Sequence, residues 1–570
     1  MRFDQFCLGA YTLPNVAAQC QRCLNLFPEL DETGTGKNRF TLVGTPGLKL
    51  FKNVTTLDAG ATHIRGLFSE AGRLFVAAGT KLLEVSAAGA LVGAASTIAD
   101  DADHTPVQMV ANGLGLFVVA SGNGYFHNGA ALSRISFPAL SGTVNTNGTA
   151  VTWVSGDKFD DAMANETITI NGVTYTVDSV ADNGQSLTLT ASAGVQAAVA
   201  YSATPYPKMV TGAFLNGYFI CQRWIDNGLT VDPNWKRFNV SALWDNTAVW
   251  DPLDYATKEG FPDNIIGILA DHRYLWLFGA RTTEVWAASG AQDFPFARVS
   301  PVIHQGSISP WSPVSIAGRV GWIGTDERGG PVAYLASGFE PERVSTHAIE
   351  EAWRTMIPYG CLKYATSFAY TENGHHFWVI HFLGSSNPAW VYDLNTQMWH
   401  ERGYLSAGVV GRPNYAYHTF IPQWADNTTP GMLQGVHIVG DPASGNLYYL
   451  SQDYYDDNGD DIRRIRTAPH ITAENRNNLY HRMELDADFG GISGPAYTPA
   501  GPAGLNDIIS GGTYTGTTDT TFTVQIDAMG TPERLREEGG VAGSSPPPAR
   551  RAPARSGHSA RRSGRPPASS

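Results

Sequence analysis

A short phrase of hydrophobic and polar positions recurs along the chain. It has an apolar or aromatic run of about four residues, a turn of two to four residues rich in Gly, Asn or Asp, and a second apolar run. Clear copies are Leu74-Phe75-Val76-Ala77 before Gly79-Thr80, Leu116-Phe117-Val118-Val119 before Ser121-Gly122-Asn123-Gly124, and Tyr274-Leu275-Trp276-Leu277-Phe278 before Glu284-Val285-Trp286. Others are Val320-Gly321-Trp322-Ile323, and Phe377-Trp378-Val379-Ile380 before Trp390-Val391-Tyr392. A hairpin cannot bury its apolar face alone, so a chain that repeats one stacks the copies. The expected product is a ring of small antiparallel sheets.

Anchoring each phrase on its first strong strand gives Leu74, Leu116, Tyr218, Leu275, Val320, Phe377 and Val436, with gaps of 42, 102, 57, 45, 57 and 59. Inside the long gap, Ser141 to Ser202 shifts to Thr, Val, Ala, Gly and Asn. It alternates strictly at Thr167-Ile168-Thr169-Ile170 and Ser186-Leu187-Thr188-Leu189-Thr190, and has a hairpin signal at Asn171-Gly172. Setting this inserted β-domain aside reduces the gap to about 40, and spacings of about 40 to 60 are those of propeller blades. The fold class is therefore all-β: an irregular β-propeller of six or seven blades, with the insert at 141–202 and a β-module near the C-terminus. Two β-sandwiches remain the alternative.

The propeller occupies 61–140 and 203–455, with 1–60 closing or flanking it. Residues 456–490 read as a return segment of a tail or stem module, and 491–530 as a linker and partial β-module containing the strand Thr521 to Ile526. Residues 531–570 read as a disordered Arg/Pro/Ser tail. That tail has the composition of a GC-rich gene read out of frame, and a frameshift or an assembly error in the sequence is the expectation. One helix is predicted over Thr346 to Arg354, capped by Ser345 or Thr346, with Ile349, Ala352 and Trp353 on one face.

The 61 Gly, 33 Pro and 16% charged residues, with 43% hydrophobic content, suit a loop-rich β protein with a sizeable core. Met1 to Pro14 lacks the basic and apolar regions of a secretory signal, and no apolar stretch of about 18 residues could span a bilayer, so assembly in a cytoplasm is expected. Five cysteines (Cys7, Cys20, Cys23, Cys221 and Cys361) make no dense even framework. The net charge is −13, but six arginines and no acid in 541–570 leave the first 540 residues at −19. Such a body does not attract nucleic acid by neutralising phosphates. It could line a conduit through which DNA slides.

Candidate chemistry is sparse. Cys20-x-x-Cys23 lacks a second ligand pair, so it reads as two small residues rather than a zinc site. His375, His376 and His381 share a strand, with at most His375 and His381 on one face, and read as packing residues. A glycosidase needs two carboxylates across one sugar bond. The candidates are Asp326 and Glu327, Asp393, and the run Asp456, Asp457, Asp460 and Asp461. The run lacks the ligand spacing and terminal Glu of a calcium loop and reads as a solvated turn. Asp393 and Asn395 are placed to hold turn N–H groups with their side chains. Gly34-Thr35-Gly36-Lys37 lacks the P-loop spacing and reads as a surface loop, and no nucleophile elbow occurs. No catalytic, cofactor or metal residue is assigned, and the protein is read as non-enzymatic.

Asn25-Leu26-Phe27-Pro28-Glu29, Thr45-Pro46-Gly47-Leu48-Lys49-Leu50-Phe51, and Ile265-Ile266-Gly267-Ile268 through Leu277-Phe278-Gly279 to Thr283-Glu284-Val285-Trp286 together resemble the tail hub or nozzle proteins of short-tailed bacteriophages, the packaged DNA stabilisation proteins. The likeness continues through Tyr334 to Gly338, Ser345 to Glu350 and Val391-Tyr392-Asp393, and covers roughly Cys20 to Gly490. The resemblance implies a virion tail protein built on a propeller and assembled as a homohexameric ring below the portal and its adaptor. It implies contacts to the adaptor, to tail fibres or tailspikes and to a needle or plug, with DNA passing through the channel without sequence-specific binding. Phe219 to Trp224 and Trp244 to Trp250 are candidate apolar anchors. The competing classes are a propeller glycosidase or lyase acting on bacterial surface polysaccharide, and a host-binding module using the insert.

Overall fold

The computed structural model describes residues 4–12, 20–33, 39–224, 236–291, 293–326, 328–422 and 435–468, with short strands at Glu484–Asp486, Ile509–Gly511, Val524–Asp527 and Arg534–Glu537. Seven four-stranded antiparallel units follow one another. Their innermost strands are Ile64–Glu70, Gln108–Ala111, Lys208–Leu215, Ile265–Asp271, Val314–Ile316, Ala365–Glu372 and Tyr417–Ile421, here the first strands of blades 1 to 7. The last of these strands packs against the first, so the units close into a ring. A pair of sandwiches is thereby excluded.

Side-chain alternation on the second strand of each blade explains the closure. In Arg73–Ala78, Leu74, Val76 and Ala78 pack with Tyr417, Ile421 and Leu447 of blade 7, whereas Phe75 and Ala77 pack with Met109, Leu116 and Val118 of blade 2. Phe117 and Val119 then face Met209 and Phe219 of blade 3, and Ile220 and Phe238 face Ile265 and Leu275 of blade 4. Trp276 and Phe278 meet Trp322 of blade 5, Ile323 meets Trp378 of blade 6, and Phe377 and Val379 meet Val439 and Tyr448 of blade 7. Each blade is covered on both faces. Continuous apolar runs such as Leu116–Ala120 are the consequence.

The fourth strand of blade 7 comes from the N-terminal region. Gly47–Asn53 pairs antiparallel with Asn446–Ser451, with Leu48 opposite Leu450 and Leu50 opposite Tyr448. A Cβ on Gly47 would stand 2.4 Å from the Tyr454 carbonyl oxygen, so only glycine fits there. Residues 456–467, read from sequence as part of a return segment, also pack here. Asp456–Asp457 and Asp460–Asp461 form a tight hairpin over Asn458 and Gly459, both at positive φ, and Asn458 Oδ1 accepts from the Leu50 N–H at 3.0 Å. Ile465–Thr467 pairs with Cys20–Leu24.

Leu140–Ala203 forms a closed six-stranded barrel between blades 2 and 3. Its core holds Val144, Val151, Ile168, Ile170, Val177, Leu187, Leu189 and Tyr201. Charged contacts dock it: Arg134 and Lys208 converge on Glu166 at 2.5 and 3.1 Å, and buried Arg223 of blade 3 donates to Asp160 and Asp161. Helix α1 (His347–Met356) starts at Thr346, whose Oγ1 accepts from the Ile349 N–H, and buries Ala348, Ile349 and Trp353. Ala352 is only partly buried.

Residues 472–570 make a second unit. There Glu484–Asp486 pairs with Ile509–Gly511, and Val524–Asp527 with Arg534–Glu537. Arg534–Glu537 lies within the stretch 531–570 that the sequence reads as a tail. Residues 541–570 lie outside the described residues.

Candidate functional site

Because the four strands of a blade alternate in direction, loops leading into first strands and turns joining second to third strands share one face, here the upper. Turns joining first to second and third to fourth strands emerge on the lower face. This geometry separates the carboxylates proposed for sugar cleavage. Asp326 follows the second strand of blade 5 on the upper face, and Asp393 ends the third strand of blade 6 on the lower. They cannot flank one bond. Asp326 Oδ1 instead accepts from the Arg328 and Gly330 N–H groups, while Glu327 lies outside the described residues.

Asp393 is fully buried and accepts from Asn395 N–H at 3.0 Å and Thr396 Oγ1 at 2.7 Å, the turn role expected of it. It also holds His375 Nδ1 at 2.8 Å, whose Nε2 lies 2.7 Å from Glu29 of the N-terminal hairpin Leu26–Leu30 and Phe40–Gly44. The Asp393 hydrogen bond, with help from Glu29, outweighs burial and pushes the His375 pKa up to about 9. His381 is buried between Phe368 and Tyr415, and burial, then Arg412 and Arg402, lowers it to about 3. His376 faces outward to Thr371. Cys23 is buried with its S–H toward the Leu26 carbonyl, and burial pushes its pKa up to about 12. In the acidic hairpin, Asp460 accepts from Tyr404 Oη at 2.6 Å, and burial lifts Asp457 to about 7 against the pull of Arg464. Gly34 to Lys37 lie outside the described residues.

Two surface features do stand out. On the upper face, across blades 6, 7 and 1, a cleft of about 720 Å³ has a mixed lining that includes Leu383, Asn387, Val409, Arg412, Tyr417 and His104. Beside it Arg65, fully buried, donates to the carbonyls of Gly79, Ala99 and Thr105 and to Ser121 Oγ, and lies 3.3 Å from Asp100. Burial alone would raise Asp101, but hydrogen bonds from Thr105 and Ser121 and the charge of Arg65 bring its pKa below the ordinary value. Among the described residues, His63, Asp100 and His104 form a group of potential metal ligands whose donor atoms lie within 4.8 Å of one another. Sequence reasoning missed it because His63 enters blade 1 and the others leave it; the acid-rich string Asp100 to His104 was the only local signal.

On the lower face, the excursion between Arg237–Val240 and Tyr255–Thr257 of blade 3 exposes Leu243 at 56%, Trp244 at 53%, Val249 at 55% and Leu253 at 78%. Trp250 turns inward beside Phe117 and is 2% exposed. Of the two Trp-rich stretches, Phe219 to Trp224 belongs to a blade interior, with Phe219 to Arg223 buried. The Trp244 N–H bonds to the Gly217 carbonyl at 2.6 Å, which ties the excursion to the first turn of its blade.

The described residues thus form a seven-bladed propeller that displays large apolar side chains on its lower face and in which Asp326 and Asp393 lie on opposite faces. The chain belongs to the family of phage DNA stabilisation proteins described by the bacteriophage P22 Gp10 β-propeller, which matches residues 19–455. It is thus a phage tail protein of a structural family. No curated protein matches. Among solved structures, a chain of the S. cerevisiae Dbp5 complex with Nup159 and Gle1 is 10% identical, covering 71% of this chain and 95% of that one, with a TM-score of 0.37. The Neurospora crassa Pan2 WD40 domain is 8% identical over 72% of this chain and 95% of its own, with a TM-score of 0.35. At these scores neither bears on function. No helix among the described residues is long and apolar enough to cross a membrane.

Proposed function

We propose that this protein is the tail hub, or nozzle, of a short-tailed phage: six copies close into a ring below the portal and its adaptor, extend the DNA channel and help retain the packaged genome. The lower-face excursion carries the reading. Leu243, Trp244, Val249 and Leu253 are large apolar side chains presented together on one blade, a display that marks an interaction site. A closed ring needs two different patches on each subunit, and the excursion would supply the apolar centre of one. The negative body suits a bore that DNA traverses without adhesion. Fibres or spikes and a needle or plug would dock on the outer surfaces.

The test is a native mass of the purified full chain with and without its adaptor, for the wild type and for Leu253→Asp. The expected result is a hexamer in the wild type and monomers in the variant, at equal thermal stability. A wild type that stays monomeric with its adaptor in every assembly condition overturns the reading.

A further inference from the structure

The segment between the closing strand Gly47–Asn53 and the first strand of blade 1 delivers His63 to the upper face. Its side chain is buried, with 11% of its surface exposed, and Nε2 has no hydrogen-bond partner although it lies 3.4 Å from Asp100 Oδ2. Leaving a buried ring nitrogen unpaired is costly, and it calls for an explanation. At the other end of the ring, Nδ1 lies 2.9 Å from Thr62 Oγ1. With Nδ1–H donating to that hydroxyl, the lone pair sits on Nε2, the second-shell arrangement that prepares a histidine for a metal.

The loop between blades 1 and 2 brings the other two donors. His104 Nδ1 lies 3.2 Å from the same Asp100 Oδ2, and the two imidazole centroids are 4.0 Å apart. Three ligands held tetrahedrally at about 2.1 Å from one ion stand about 3.4 Å from each other; Asp100 Oδ2 lies 3.2 and 3.4 Å from the two ring nitrogens, and all three donor atoms lie within 4.8 Å of one another. Asp100 is fixed through its other oxygen by Arg65, at 3.3 Å. The loop itself is tied by Asp101, which accepts from Thr105 Oγ1 at 2.6 Å and from the Asp103 N–H at 3.1 Å.

We propose that His63 Nε2, Asp100 Oδ2 and His104 Nδ1 form a binding site for a first-row transition dication of the zinc class, with the fourth position open to the upper-face cleft. Two imidazoles and one carboxylate suit such an ion better than magnesium or calcium, which prefer all-oxygen shells. The Arg65 guanidinium offsets part of the attraction, so the site is weaker than a closed structural zinc site. His104 lines that cleft together with Asp103, Arg412 and Tyr417, and a water or a partner's carboxylate entering there could complete the shell. Because His63 ends the segment that leads from the strand closing blade 7 into blade 1, the ion would also staple that connection to the loop between blades 1 and 2.

The test is a cobalt(II) titration of the untagged full chain after chelator dialysis, read by visible absorption, with zinc-dependent melting as a second readout. The wild type should take up one cobalt per chain with the strong bands of a tetrahedral site, and zinc should raise the melting temperature. His104→Ala, at an exposed position, should weaken binding more than about 100-fold, and Thr62→Val by roughly 10- to 100-fold, the range for a lost second-shell partner. His376→Ala, on the lower face, should bind as the wild type does. Absence of cobalt uptake by the wild type, or equal uptake by His104→Ala, overturns the site. Tail assembly is not among the readouts, so failure here leaves the ring proposal standing.

Discussion

The inserted barrel and the blades are both antiparallel β-structure, yet their strands bury side chains in different ways. In the barrel, Ser186–Leu189 buries Leu187 and Leu189 and exposes Ser186 and Thr188, because one face meets the core and the other meets water. In blade 6, all of Ala389–Asp393 is buried, and His375–Phe382 is buried except for His376, because neighbouring blades cover both faces. The difference teaches that the length of an apolar run reports how many faces a strand covers. The barrel solves its edges by closing on itself, whereas each blade solves its faces by leaning on two others.

The largest expected effect tests the shared faces. Trp378→Ala in blade 6 removes a fully buried indole at the junction with blade 5 and should cost about 3–5 kcal/mol of propeller stability. In calorimetry the main transition should fall, while hydrogen exchange in the barrel stays near the wild type. Equal loss of protection in both regions would mean that the two unfold as one.

Arg223→Met addresses the joint between them. It leaves Asp160 and Asp161 without their buried cation, and removing one partner of such a pair costs about 3–5 kcal/mol. Asp160, already raised to about 6 by burial and by Asp161, should rise further, visible in carboxyl titration by NMR. Limited proteolysis should then cut at the barrel's connections near Leu140 and Ala203 sooner than in the wild type.

Protons should also distinguish the regions, since residues 141–203 contain no histidine. Burial keeps His381, His400 and His418 of blades 6 and 7 neutral, with His381 at about 3. The unfolded chain takes up those protons near pH 6.5. Propeller stability is therefore intact above that pH and is lost as pH falls toward 3. His375 acts in the opposite sense. Raised to about 9, it contributes stability that is complete below about pH 6.5 and disappears as pH rises through 9. His375→Gln should flatten the alkaline limb by about 1–2 kcal/mol, allowing for the exposure of Glu29. Melting curves from pH 3 to 10 check both limbs.

The smallest effect should come from Thr188→Lys on the outer face of the barrel, within about 0.5 kcal/mol of the wild type. Val379→Thr, at a buried position in the middle of a blade strand, should cost about 1–3 kcal/mol. Comparable losses from the two would contradict the one-face and two-face distinction.

Much of this contrast was legible in the chain. Runs such as Leu116 to Val119 and Phe377 to Ile380 marked strands covered on both sides, and Thr167 to Ile170 marked a strand covered on one. Asn171 and Gly172, both at positive φ, form the turn their identities require. Less was legible about the surface. Trp244 and Trp250 are indistinguishable by composition, and only packing turned one outward and the other onto Phe117. His375 was read as a packing residue because its partners, Glu29 and Asp393, lie 346 and 18 positions away.

The sequence by itself determined the local grammar: strand positions, turn residues, the insert and the acidic body, since each depends on neighbours a few residues apart. Tertiary structure decided the blade count, the strand by which the N-terminal region closes blade 7, and the meeting of His63 with Asp100 and His104. These depend on ring closure, which brings together residues that no local spacing connects, because the last apolar face can be buried only against the first.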